Sequence, residues 1–223
     1  RMTDLSQDAA APRTGPIRRI LRDYGHELLV VAAIIALLVV VGAINPRFVS
    51  ARNMTSVFSG NAYIAVAAIG MTMIIVTRNI DLSVGALIGV LATVSGTLAV
   101  SGAPIWVAWV APILCGALIN AVTGLLVAYA GIPSIVVTLG MMAILQGGLI
   151  SVTGGAWISD LPPEFLLAKM KVLGLPMPLV WAVVLTVLAA AWMRLTPYGR
   201  SLYLIGGNAE AARAVGIPVR RRI

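Results

Sequence analysis

Residues 61–100, NAYIAVAAIGMTMIIVTRNIDLSVGALIGVLATVSGTLAV, decide the fold. They form one apolar stretch broken once, at Arg78-Asn79-Ile80-Asp81, and each half approaches the ~20 predominantly apolar residues that a bilayer crossing needs. Working outward, four more stretches of this kind lie at roughly 27–44, 105–129, 132–153 and 178–195, beside the pair at 61–76 and 82–100. The whole chain, 223 residues, is 60% hydrophobic and 11% charged, against about 45–50% and about 25% in ordinary globular proteins. That balance excludes a cytosolic enzyme, a secreted disulfide scaffold and a disordered tail. The expectation is an all-α, polytopic membrane protein with about six transmembrane helices.

Charge orients the spans. The net charge of +8 could point to nucleic acid, but the arginines flank apolar stretches instead of forming one basic face, so no nucleic-acid partner is expected. With the N-terminus inside and six crossings, twelve of the sixteen basic residues fall inside: Arg1, Arg13, Arg18, Arg19, Arg22, Arg78, Arg194, Arg200, Arg213, Arg220, Arg221 and Arg222. Arg47, Arg52, Lys169 and Lys171 fall outside. The positive-inside rule therefore predicts both termini in the cytoplasm. The domain reading is a polar tail over 1–26, a transmembrane region over 27–195 with an external loop at 154–177, and a cytoplasmic segment over 196–223. A cleaved signal peptide is the alternative for the start, though the apolar run is long and lacks a small-residue cleavage site. Trp157 and Trp181 suit the water–lipid boundary.

Chemistry-bearing residues are sparse. Cys115 is the single cysteine and His26 the single histidine, so no disulfide framework, metal site, cofactor or catalytic group is expected. The Arg78–Gly85 interruption reads either as a turn, with Asp81 or Asn79 capping the next helix, or as a broken helix beside a pathway. Gly85, Gly89, Ala92 and Gly96 then make a small-residue stripe that would admit another helix closely. Gly116, Asn120, Gly124 and Ala128 make a second, Thr138 and Gln146 mark one face of the fifth span, and Asn61 opens the second. Polar groups in hydrocarbon cost free energy unless partnered, so Asn61, Asp81, Ser83, Asn120, Thr138 and Gln146 should face the bundle interior or a wet cavity. They are candidates for a translocation pathway or for interhelical packing. No span carries an acid near its centre, which argues against an ion-coupled carrier and moves the energy source outside this chain.

In the segment after 196, Asn208 reads as an N-cap, Glu210 sits in the first turn, Arg213 lies toward the other end, Gly216 is placed just past the helix and Pro218 follows. The spacing predicts a two-turn helix over 209–215. So short a helix is marginal alone in water. It either packs on its own loops or inserts into a groove of another protein, with Ala209, Ala212 and Val215 near the contact and Arg213 pairing an acid.

Three stretches resemble the membrane subunit of bacterial ABC importers for monosaccharides, the ribose/xylose-type permease family. They are Asn61–Gly96, with Gly70-Met71-Thr72 and Ile80-Asp81-Leu82-Ser83-Val84-Gly85; Ile132-Pro133-Ser134 through Gly147; and Gly199-Arg200 through Gly216-Ile217. Thr77-Arg78-Asn79-Ile80-Asp81 and Gly154-Gly155-Ala156-Trp157-Ile158 look closer to the autoinducer-2 and rhamnose branches. The resemblance implies an inner-membrane permease paired with a second permease subunit, in a homo- or heterodimer, with a periplasmic sugar-binding protein outside and an ATP-binding subunit inside. By the same resemblance Gly207, Asn208, Ala209, Glu210, Ala212, Arg213, Val215 and Gly216 correspond to the helix that docks on the ATPase. Gln146 stands where relatives often place an arginine, so no charged role passes to it. Family members continue through several further spans, and the chain is expected to be the N-terminal two-thirds of such a subunit. Rival readings are an ion-coupled secondary carrier, a branched-chain amino-acid-type ABC permease and a membrane scaffold.

Overall fold

The computed structural model describes residues 24–165 and 170–223. The N-terminal tail with its arginines, and Lys169 in the 154–177 loop expected to be external, lie outside the described residues. Two compact units divide at Met54/Thr55.

In the first unit, helix α1 (Gly25–Ile44) is apolar all round, with Leu29, Leu37 and Val39 exposed, the pattern of a helix solvated by something other than water. It stops at Asn45, whose extended backbone (φ −135°, ψ 95°) is what Pro46 demands of its predecessor. Ser50 then caps the next helix: its Oγ accepts from Asn53 N at 3.3 Å and donates to Arg47 O at 2.7 Å. Helix α2 therefore runs Ala51–Val76, not from Asn61. Hydropathy marks where a helix is apolar and misses the more polar opening turns that a good cap supports.

In the second unit, α3 (Val84–Val100), α4 (Ile105–Ala128) and α5 (Ser134–Thr153) pack together. Ala86, Leu87 and Leu145 form the core, with Val90, Leu91, Ile119, Met141 and Met142 against them. Three glycines of the small-residue stripes receive side chains, while Gly85 and Gly124 have none nearby: an added Cβ at Gly89 would stand 3.4 Å from Leu149, at Gly96 3.3 Å from Ile158, and at Gly116 2.9 Å from Leu91. Pro112 lies inside α4 and cannot donate to the carbonyl four residues back, that of Ala108. Ser95 of α3 supplies the missing donor, its Oγ reaching Ala108 O at 2.6 Å. In hydrocarbon a neighbouring hydroxyl is one of the few groups able to do this.

After α5, Gly154 takes the left-handed conformation (φ 61°). The loop holds a 3-10 turn (Pro163–Phe165) and a small antiparallel hairpin of β1 (Lys171–Val172) and β2 (Leu175–Pro176), turned by Leu173 and Gly174 at φ 52° and 79°. Helices make up the rest of the architecture, as expected of an all-α chain, and this two-residue-per-strand hairpin is a local loop feature whose Leu-Gly turn lacks the usual Asn-Gly signal.

Helix α6 (Met177–Leu195) ends at Thr196. A further helix that the sequence reading missed, α7 (Pro197–Gly207), begins there. Thr196 caps it by accepting from Gly199 N at 3.0 Å, and Pro197 occupies the first helical position, where its missing N–H costs nothing. The reversal is tight enough that a Cβ on Gly199 would collide with the Met193 backbone. A short helix of just under two turns, α8 (Ala209–Ala214), follows.

Among the described residues four helices, α2, α4, α5 and α6, are long and apolar enough to cross a membrane, while the apolar part of α1 (Leu28–Ile44) and α3 are shorter. At 1.5 Å per residue the 17 residues of α3 reach about 26 Å, under the ~30 Å of a hydrocarbon core. Length and composition thus support four of the six expected spans.

Candidate functional site

The break between α2 and α3 covers residues 77–83. Asp81 Oδ1 accepts from Ser83 N at 2.8 Å and from Ser83 Oγ at 2.6 Å. Asp81 therefore folds an Asx-type turn, and Ser83 occupies the cap position of α3. Asn79, the other expected cap, instead donates to Thr77 Oγ1 at 3.0 Å. The break is not a free turn. Ile80 N donates to Ser134 Oγ at 3.2 Å, Thr138 Oγ1 donates to Ile80 O at 3.3 Å, and Asp81, Ser83 and Thr138 are 8%, 1% and 2% exposed. The first two turns of α5 thus hold the break from both its N–H and C=O sides.

A cavity of about 540 Å³ opens beside this clamp, with Asp81, Thr138, Ser134 and Asn120 on its wall among mostly apolar side chains. Of the six polar candidates, Asp81, Ser83 and Thr138 come together, and Asn120 joins Asp81 and Thr138 at the cavity. Asn61 is exposed and its Nδ2 donates within its own helix to Val57 O at 2.8 Å. Gln146 is exposed on α5 and lies away from the cavity wall. Among the described residues, neither one meets the clamp or the cavity. Helical periodicity ranks residues around one helix and cannot say which face meets which neighbour. Ser134 was missed as a site residue; its one signal is its position straight after Pro133 at a helix start.

The C-terminal segment is ordered by its own chemistry. Asn208 Oδ1 accepts from Glu210 N at 2.9 Å and Ala211 N at 3.0 Å. At the other end Gly216 takes φ 84°, its N–H reaches Arg213 O at 2.9 Å, and Ile217 N reaches Ala212 O at 3.0 Å. This is the Schellman closure that a glycine in that place permits. Ala212 is packed with Ile205 and Val219, with Ala209 and Ile217 alongside. Ala212, expected near a partner, therefore faces its own chain, because α7 supplies the apolar wall that the sequence reading lacked. Gly207, Asn208, Glu210, Arg213, Val215 and Gly216 remain exposed, Val215 at 74%. Arg222 lies over the Tyr198 ring, 3.3 Å from its centroid, pinning the segment's end to α7.

Among the described residues no cluster of His, Cys, Asp or Glu could hold a metal ion, and Cys115 is free and half-buried. The site offers no nucleophile–base pair. What it offers is a break gripped by a neighbouring helix, a cavity beside it, and an exposed, doubly capped helix at one end.

Residues 53–222 match a family described as the permease component of the branched-chain amino acid transport system. Among curated proteins, the chain is 35% identical over 193 residues to the autoinducer 2 import system permease protein LsrC of Escherichia coli (strain SMS-3-5 / SECEC), covering 86% of this chain and 56% of that protein. The LsrC of Enterobacter sp. (strain 638) is 37% identical over 198 residues, covering 88% and 57%. That of Shigella flexneri is 36% identical over 198 residues, covering 86% and 56%. The chain thus spans little more than half the length of these relatives. No solved structure matches it. The match takes in the break, the cavity and both C-terminal helices, and on that extent the chain belongs to this family of transport-system permease components.

Proposed function

We propose that the chain is part of the membrane-spanning permease subunit of an ATP-driven ABC importer, lining the path of a small sugar-like solute. The names of its curated relatives favour autoinducer-2 within the monosaccharide class. One observation carries the reading beyond family membership. A helix too short to stand alone in water is held rigid by two caps and a packed inner face, yet presents Glu210, Arg213 and Val215 outward. That suits a docking element for a soluble ATP-binding subunit, which would hydrolyse the nucleotide. The fuller reading has six spans with both termini cytoplasmic in the inner membrane, a second permease subunit as homo- or heterodimer, and a periplasmic binding protein engaging the 154–177 loop. Asp81, Ser83, Thr138 and Asn120 are then the polar groups beside the pathway.

The test is made on the full-length permease in native membranes. A photo-crosslinker at Val215 should capture the ATP-binding subunit, and Glu210→Ala/Arg213→Ala should lower ATP-dependent autoinducer-2 uptake by about tenfold, as expected for loss of charge-assisted contacts. Capture of no ATP-binding subunit overturns the docking reading. Uptake of leucine but not autoinducer-2 or ribose overturns the sugar assignment, and uptake by the permease alone under a proton or sodium gradient overturns the ATP-driven one.

A further inference from the structure

The C-terminal segment touches the break through two contacts that packing alone does not require. Gly206, at the end of α7, lies directly on the last turn of α2: a Cβ there would overlap the Val76 carbonyl. One residue on, the Gly207 carbonyl accepts from Arg78 Nη2 at 3.3 Å. A guanidinium at a helix C-terminus meets both the unpaired carbonyls and the negative end of the helix dipole. Arg78 reaches it from a left-handed backbone (φ 62°), unusual for a residue with a side chain. Two residues further along, Ile80 is gripped by Ser134 and Thr138 of α5.

We infer that residues 76–81 are the transmission element between the docking helix and the pathway, with Gly206 as the bearing surface and Arg78 as a positioning residue. The inference rests on the docking reading above. The links run in series. Helix α8 is joined to α7 through Asn208 and through Ala212 against Ile205. Helix α7 bears on Val76 and Arg78, and Ile80 holds the start of α5. With no side chain between Gly206 and the Val76 carbonyl there is nothing compressible at that joint, so a shift of α8 moves the break rather than being absorbed. Close-packed contacts pass displacement on because they cannot deform continuously. Ser134 and Thr138 then carry it to the cavity wall. A competing route runs from Gly199 into α6, where an added Cβ would also collide with the Met193 backbone, less severely than at Gly206.

The experiment uses the full-length permease with its ATP-binding subunit, Cys115→Ser, and spin labels at Val136→Cys on α5 and Val187→Cys on α6. Both positions are well exposed, at 60% and 61%. Trapping with ATP and vanadate should change the label-to-label distance in the unmutated background. Arg78→Ala should at least halve that change while the ATP-binding subunit co-purifies at the usual ratio, and Arg78→Lys, which still donates, should restore part of it. Gly206→Ala should abolish the change. Arg78 is exposed, so its replacement tests the route even if Gly206→Ala fails to fold. An unaltered distance change in Arg78→Ala overturns the inference and favours the α6 route. If the ATP-binding subunit does not co-purify with the unmutated permease, the docking reading fails and takes this inference with it.

Discussion

Replacing Ser95 by alanine should destabilise the second unit for a reason that can be isolated. Ser95 Oγ donates to Ala108 O at 2.6 Å, and Ala108 is 0% exposed. Pro112 has no N–H to offer that carbonyl, so Ser95→Ala leaves it buried with neither a helical nor a side-chain donor. An unmet buried carbonyl costs about 1–3 kcal/mol, while hydrogen bonds between membrane helices average nearer 0.6 kcal/mol with a maximum of about 1.7. Because the backbone here has no fallback partner, the cost should sit at the upper end of the membrane range, about 1.5 kcal/mol. Pro112→Ala restores an N–H at the right place. In that background Ser95→Ala should cost less than about 0.5 kcal/mol, a coupling of about 1 kcal/mol in a double-mutant cycle. Reversible unfolding of the full-length protein in mixed detergent micelles measures all four corners. Equal costs for Ser95→Ala in both backgrounds would refute the argument, since the hydroxyl would then be contributing something other than the donor that proline removed.

Two further outcomes follow from the site. Asn208→Ala removes the acceptor of Glu210 N and Ala211 N and should cost about 1 kcal/mol of local stability, read as faster amide exchange across 209–214. Asn208→Asp should keep normal protection, and unchanged exchange in the alanine variant would show that packing on α7 alone holds the helix. At Asp81 the structure assigns the carboxylate to the turn through Ser83. Asp81→Asn retains that acceptor and should leave unfolding within about 0.5 kcal/mol of the parent, whereas Asp81→Ala should lose roughly 1–2 kcal/mol. Equal losses in both would mean that the negative charge, not the acceptor, is what the fold needs.

Much of this was legible in the chain because the relevant signals are local. Apolar runs locate helices in lipid, and Asn208, Gly216 and Pro218 bracket α8 because caps act within one turn. The start of α2 and all of α7 escaped because their evidence is a cap, Ser50 or Thr196-Pro197, set in polar sequence where hydropathy is silent. The polar candidates divided for a related reason. Asp81, Ser83 and Thr138 meet because residues 54 or more apart in sequence, Ile80 with Ser134 and Thr138, are brought together by packing. Asn61 and Gln146 carry the same side-chain chemistry on faces with no such neighbour.

By itself, then, the sequence determined that this is a lipid-embedded helical chain, where it is broken, and that a short capped helix stands near residues 209–215. These follow from solvent transfer and from hydrogen bonds between near neighbours. Only the tertiary structure decided that Ser95 completes the helix Pro112 interrupts, that Ala212 turns inward while Val215 does not, and that Gly206 rests on the end of α2. Each of those depends on which helix faces meet, and in a medium as apolar as the side chains it is packing shape, not hydrophobicity, that selects the faces.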